Sequence, residues 1–226
     1  DNPIANFLSA QKINYNRMKI SLETSPASGL KGDAYLYGLR TDSLALDTIY
    51  FNTSQGSEKV LFSSGIKAGA KPFQEAFDIA VDGEIGTNDA HAQITYLNGK
   101  KECGVSLGLL ARIHEYGFSV HVSPENPTLV YRTFHANPHN YVNISDNGRI
   151  RADLSLFDEN HTGIHFYSTP DSTVQQDLTL ALNRIDIAEF RRIIPYMPDI
   201  AGLISAETHY VQSDKDVMIS TEMSAD

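Results

Sequence analysis

The sequence predicts an all-β protein, an antiparallel meander of short strands, with one short α-helix at about residues 187–194. Three observations carry this. Apolar residues recur at every second position through most of the chain. Turn residues cut these alternating runs at short intervals. One stretch, IDIAEFRRII, switches from period two to helical spacing just before Pro195.

The elements follow in order. In the less regular first 15 residues, Ile4, Phe7 and Leu8 fit one helical turn, with Asn2 as cap and Pro3 at the first helical position. Segment 25–33 reads as a loop, 40–48 holds the start of a strand, and 64–76 reads as a connector. Phe77, Ile79 and Val81 share one strand face, and Ala92, Ile94 and Tyr96 share the next. Cys103, Val105, Leu107 and Leu109 follow, then Phe118, Val120 and Val122. Ile150 to Leu156, Ile164 with Phe166, Leu178 to Leu182, Ile204 to Tyr210 and Val217 to Met223 continue the pattern. Asp82-Gly83, Asn98-Gly99 and Asn147-Gly148 are hairpin dipeptides that tolerate positive φ. Gln55-Gly56-Ser57 and residues 158–163 are looser turns. Segment 123–140 carries three prolines around one short strand and is the place where a bend or sub-boundary is expected.

The helix has legible edges. Asp186 suits the N-cap, and Glu189 stands three residues on, as in a capping box. Ile187, Phe190, Ile193 and Ile194 make its apolar stripe, while Arg191 and Arg192 point away. Pro195 ends it. So short a helix cannot stand alone in water. It is expected to cap the open apolar end of the sheet.

A sheet with one apolar face must cover that face. A second layer makes a sandwich, closure makes a barrel, and lengthwise folding makes a gutter whose lining is left for a guest. Alternation does not choose among these. The residues placed in such an apolar groove are Val105, Leu107, Leu109, Val120, Leu154, Leu156, Leu180 and Leu182.

Composition bounds the function. The chain has 226 residues, is 41% hydrophobic and carries a net charge of −10. That acidity argues against a nucleic-acid partner, which needs a basic surface to displace counterions. The single cysteine, Cys103, is expected to be a buried structural thiol. No window of about 18 apolar residues exists to span a bilayer as a helix. Alternation is still running at the last residues, so the chain reads as a fragment of a longer β-rich protein.

No residue cluster marks an active site, and no cofactor or metal is expected. His135/His139 and His161/His165 have i, i+4 spacing, but Pro138 and Gly163 break helical geometry inside each pair, so they read as solvated loop histidines. Asp153, Asp158 and Glu159 read as turn acids rather than a facing catalytic pair. Nucleophile, phosphate-loop and dinucleotide motifs are missing, and the triplets Asn52-Thr53-Ser54 and Asn143-Ile144-Ser145 carry no weight as glycosylation sites.

Residues 178–210, LTLALNRIDIAEFRRIIPYMPDIAGLISAETHY, resemble the repeating unit of TamB-like translocation and assembly module proteins, within the AsmA-like group. The parts are the strand Leu178 to Leu182, the helix Ile187 to Ile194, Pro195 with Pro198, Gly202, and the renewed strand Leu203 to Val211. GDAYLYGLRTDSLALDTIYF, NPHNYVNISDNGRIRADLSLF and TGIHFYSTPDSTVQQDLTLALNR are similar to members of that family too. The resemblance implies a periplasmic, non-enzymatic segment of a parent anchored in the inner membrane, the anchor lying outside this stretch. It implies a gutter-shaped body (a β-taco) that serves outer-membrane biogenesis. Expected partners are phospholipid acyl chains or nascent outer-membrane β-strands, together with an outer-membrane barrel protein. The alternative reading is a compact β-sandwich recognition module of a surface protein, with some of the 11 tyrosines stacking on glycan or peptide. The absence of Trp weighs against it.

Overall fold

The computed structural model describes residues 12–25, 29–56, 58–169, 174–193 and 199–225. The described residues form seventeen strands and one short helix, α1, so the all-β antiparallel class holds. The chain divides into two compact units. Unit 1 is Asp1–Thr87 with His91–Gly104, and unit 2 is Asn88–Ala90 with Val105–Asp226. The proposed helical turn at residues 2–8 lies outside the described residues.

In unit 1, β1 (Arg17–Ser25), β2 (Gly29–Arg40), β3 (Ala45–Gln55), β4 (Val60–Ala68) and β5 (Phe77–Ile85) each pair antiparallel with the next. Strand β6 (Asp89–Asn98) follows. Directly opposed residues lie on the same face of a sheet. The register therefore lines up Met18, Leu36, Ile49, Ile66 and Ile79 across five strands as one apolar row. The neighbouring row, Arg17, Tyr37, Thr48, Lys67 and Asp78, faces the other way and is polar. Tyr35 and Tyr37 stack on that polar face, with centroids 5.8 Å apart.

Asp82-Gly83 is not a turn; it lies inside β5. Gly83 sits opposite Phe62, and a Cβ there would come within 2.5 Å of Phe62 Cζ. The glycine makes room for the His91 carbonyl, which such a Cβ would strike, and for the Phe62 ring, instead of supplying positive φ. The expected connector at 64–76 likewise begins later, because β4 runs on to Ala68.

Unit 2 holds most of β7 (Cys103–His114), then β8 (Gly117–Val122), β9 (Thr128–Leu129), β10 (Arg132–Thr133), β11 (His135–Ala136), β12 (Tyr141–Ser145) and β13 (Ile150–Phe157). It continues with β14 (Gly163–Ser168), β15 (Gln176–Asp186), α1 (Ile187–Phe190), β16 (Leu203–Gln212) and β17 (Val217–Ala225). The main ladder runs β7–β8–β12–β13–β14–β15–β16–β17, antiparallel throughout. Asn147-Gly148 makes the β12–β13 turn as expected: Gly148 has φ +80 and donates its N–H to Ser145 O at 2.8 Å.

Segment 123–140 is woven into the sheet. Strand β9 pairs with β7 at Val105↔Leu129 and Ser106↔Thr128, beyond the stretch of β7 that β8 covers. Strand β11 pairs with β13 at Ala136↔Leu156 and His135↔Phe157, beyond the stretch that β12 covers. The segment thus fills the gap left where β8 and β12 stop.

Strand ends leave backbone groups that must find partners. Buried side-chain amides supply them. Asn140 Oδ1 accepts from Val122 N–H at 2.7 Å, and its Nδ2 donates to Val122 O at 3.2 Å. Gln176 clasps Ile150 in the same way, accepting from N–H at 2.8 Å and donating to O at 2.6 Å. Gln74 clasps Ala45 at 3.0 and 2.8 Å. All three amides are buried. Each replaces one missing strand neighbour, reproducing its donor and its acceptor.

Asn140→Ala strands a buried N–H and a buried C=O, each costing about 1–3 kcal/mol. Denaturant unfolding of this variant is expected to show a loss of about 2–4 kcal/mol with an unchanged m-value. A loss below about 0.5 kcal/mol counts against the clasp.

Candidate functional site

The groove residues expected from the sequence all fall in unit 2, and the register puts them on one face of its sheet. One row is Ala111, Val120, Val142 and Ala152. Leu109 lies opposite Val122, and Leu107 and Val105 follow it at period two. Leu154 continues through Phe166, Leu180, Thr208 and Thr221. Leu156 continues through Ile164, Leu182, Ala206 and Met223.

This face is filled at one end and bare at the other. Val122, Phe134, Ala136 and Leu156 form a buried cluster, and Leu107, Leu109, Leu129, Leu154 and Ile164 pack against it. Phe134 and Ala136 belong to the inserted segment, whose Pro127 is fully buried. Four of the expected lining residues, Leu107, Leu109, Leu154 and Leu156, are therefore covered by the chain itself. Farther along the same face the described residues are more exposed. Leu180 is 40% exposed, Ile219 65% and Met223 70%.

Helix α1 fixes the far side of the inserted segment. Asp186 caps it, its Oδ1 accepting from Ala188 N–H at 2.9 Å. The helix is shorter than the sequence suggests, spanning Ile187–Phe190 with turn geometry through residue 193. Ile194, Pro195 and Pro198 lie outside the described residues. Glu189 does not close a capping box; its Oε1 accepts from Arg132 Nη2 at 2.5 Å. The other nitrogen, Arg132 Nη1, reaches Asp158 Oδ2 at 3.2 Å. Arg192 does not point away: its guanidinium lies 4.2 Å from the Tyr131 ring centroid, and its carbonyl accepts from Tyr131 Oη at 3.3 Å. Ile187, Phe190 and Ile193 are only half-buried, so polar contacts, more than an apolar stripe, hold this helix.

Asp158 is the best-supported acid of the unit. Its Oδ1 accepts from the N–H groups of Asn160 and Thr162, both at 2.9 Å, and its Oδ2 faces Arg132. All this serves the turn at 158–162 and the inserted segment. Asp158 is a turn acid, as expected; Arg132, Phe134 and Ala136 were not singled out, and the period-two spacing of the last two, hidden among prolines, was the available signal.

The remaining candidates stay apart. His135 and His165 lie on strands β11 and β14, not in loops, whereas His139 and His161 sit in turns with φ +60 and +58. His165 Nε2 lies 3.2 Å from Asp153 Oδ1 and its ring packs on Tyr167 at 4.5 Å. Among the described residues no group of three His, Cys, Asp or Glu side chains converges as a metal site. Cys103 is exposed at the start of β7, not buried.

Arg132→Met removes the cation between two carboxylates while keeping the aliphatic stem. Hydrogen exchange is expected to rise at residues 186–193 and to stay unchanged in β3 and β4. Equal protection in variant and wild type would show that Arg132 does not anchor the helix.

No protein-family description, no curated protein and no solved structure matches this chain.

Proposed function

We propose that the chain is a non-enzymatic, TamB-like segment of a periplasmic protein in outer-membrane biogenesis, and that unit 2 offers a bare apolar sheet face to lipid acyl chains. The observation that carries this reading is the continuation of the Leu154 and Leu156 rows through exposed Leu180, half-buried Leu182 and exposed Met223. An apolar face left wet costs free energy that a soluble protein normally avoids by covering it. Among the described residues, Phe134 and Ala136 cover this face at one end. The surface left over among the described residues is a strip of leucine, isoleucine and methionine side chains interrupted by the bonded pair Thr208 and Thr221, without a charge on it, suited to a flexible hydrocarbon chain.

The work done is passive. A methylene removed from water contributes about 0.8 kcal/mol, so about ten methylenes along the strip contribute on the order of 8 kcal/mol. No group on the strip reacts; its residues shelter the chain and exclude water. In this reading the parent is anchored in the inner membrane and works with an outer-membrane barrel protein, as the resemblance of residues 178–210 implies.

Delipidated protein mixed with fluorescently labelled phospholipid is expected to retain label through size exclusion. Leu180→Asp with Met223→Asp is expected to cut retention at least fivefold, while Tyr116→Asp, in the exposed β7–β8 turn, leaves it unchanged. Absence of label on the wild type, or equal retention by the double variant, would overturn the proposal.

A further inference from the structure

We infer that β1 is a self-complementary edge through which two copies of this chain pair. Among the described residues β1 has a partner strand on one side only, β2. It is nine residues long, has no proline and projects Met18, Ile20 and Leu22 from one face at 58, 68 and 71% exposure. An edge of that length and character is a template for another strand. Natural edges are usually short, bulged, proline-bearing or charged; residues 17–23 are neither short nor bulged and have no proline, and their charges, Arg17, Lys19 and Glu23, are of both signs.

The occupant follows from the order of side chains. Residues 17–23 read Arg-Met-Lys-Ile-Ser-Leu-Glu, which is complementary to itself when reversed about Ile20. In an antiparallel pair of two such strands, Met18 lies opposite Leu22, and Ile20 opposite its own copy. Arg17 lies opposite Glu23 at both ends, and Lys19 opposite Ser21. The two-fold axis repeats every contact, as a closed two-fold dimer requires. Asn16 N–H donates to Tyr37 O beside the Arg17↔Tyr37 pair, which assigns the odd-numbered residues of β1 to the bonds with β2. The even-numbered residues therefore turn their backbone groups outward. Arg17 and Glu23 then meet at non-hydrogen-bonded positions, where opposed side chains come closest. Both side chains are exposed, Glu23 lying opposite Lys31 and Arg17 opposite Tyr37 within unit 1's own ladder.

Among the described residues a second long strand with one partner, β17, does not fit itself in this way. Strand β17 carries Glu222 as its one charged residue, and no reversal of its sequence brings a cation opposite that carboxylate.

Sedimentation of the full chain over a range of concentrations tests this independently of lipid binding. The wild type is expected to approach twice the chain mass of 25.0 kDa and to stop there. Glu23→Lys and Arg17→Glu alone each set like charges face to face and are expected to raise the dimer dissociation constant about tenfold, from two opposed pairs lost and reversed. The double variant Arg17→Glu/Glu23→Lys restores both pairs and is expected to restore the dimer. Circular dichroism checks that the fold is kept. A monomer at every concentration overturns the inference. So does a double variant no better than the singles, and so does a mass that climbs past the dimer, which would mean that β1 meets β17.

Discussion

A strand that stops inside a sheet leaves N–H and C=O groups that water cannot reach, and the arrangement of unit 2 depends on how this demand is met. Asn140 gives Val122 both the acceptor and the donor that the next strand would have supplied. Because of this, β8 can end at Val122 without an orphaned backbone group. The gap so opened admits β9, β10 and β11, and these carry Phe134 and Ala136 into the apolar face. Which part of the face is filled, and which part is left bare, traces back to one buried amide. Gln176 at Ile150 and Gln74 at Ala45 meet the same need elsewhere. Ser168 does so with a single hydroxyl at Ala152, accepting from its N–H at 3.1 Å.

The inserted segment carries its own costs. Val130 and Tyr131 both adopt left-handed backbone, with φ +52 and +62. For a β-branched residue this is an outlier, and such residues cost of order 1–3 kcal/mol each. The turn they make aims Tyr131 at Arg192 and sets Arg132 between Asp158 and Glu189. Asp158 is nearly inaccessible, and a buried carboxylate without a cation and N–H donors would be strongly unfavourable. With Arg132 and two backbone donors it is satisfied. The four-residue helix, far below the length that is stable alone, gains its position from the same arginine.

Much of the fold was legible because period-two alternation survives wherever one face is apolar. The rows through Leu154, Leu156, Leu180 and Leu182 follow directly from it. Asn147-Gly148 was legible because a tight turn needs positive φ. Asp82-Gly83 misled for the complementary reason: glycine also serves where a neighbouring ring needs the space of a Cβ, and a dipeptide does not distinguish the two. The helix was found from its cap and stripe, but its extent was not, because Glu189 bonds to Arg132, 57 residues away in sequence. The candidate face was half legible. Its residues were identifiable from spacing, whereas their cover comes from a proline-rich stretch whose pairing with β7 and β13 is non-local. Cys103 was misread because an alternating pattern gives the face of a residue but not its exposure.

With few exceptions each strand bonds to its neighbour in sequence, from β1 to β5 and again from β12 to β17. Among the described residues no strand is threaded between two others already paired, apart from the short inserted pieces. Such a ladder grows by accretion: a duplicated hairpin added beyond an outermost strand disturbs no bond within the chain. Gene-level lengthening and shortening of proteins built this way therefore costs little in fold, and selection is free to set their reach.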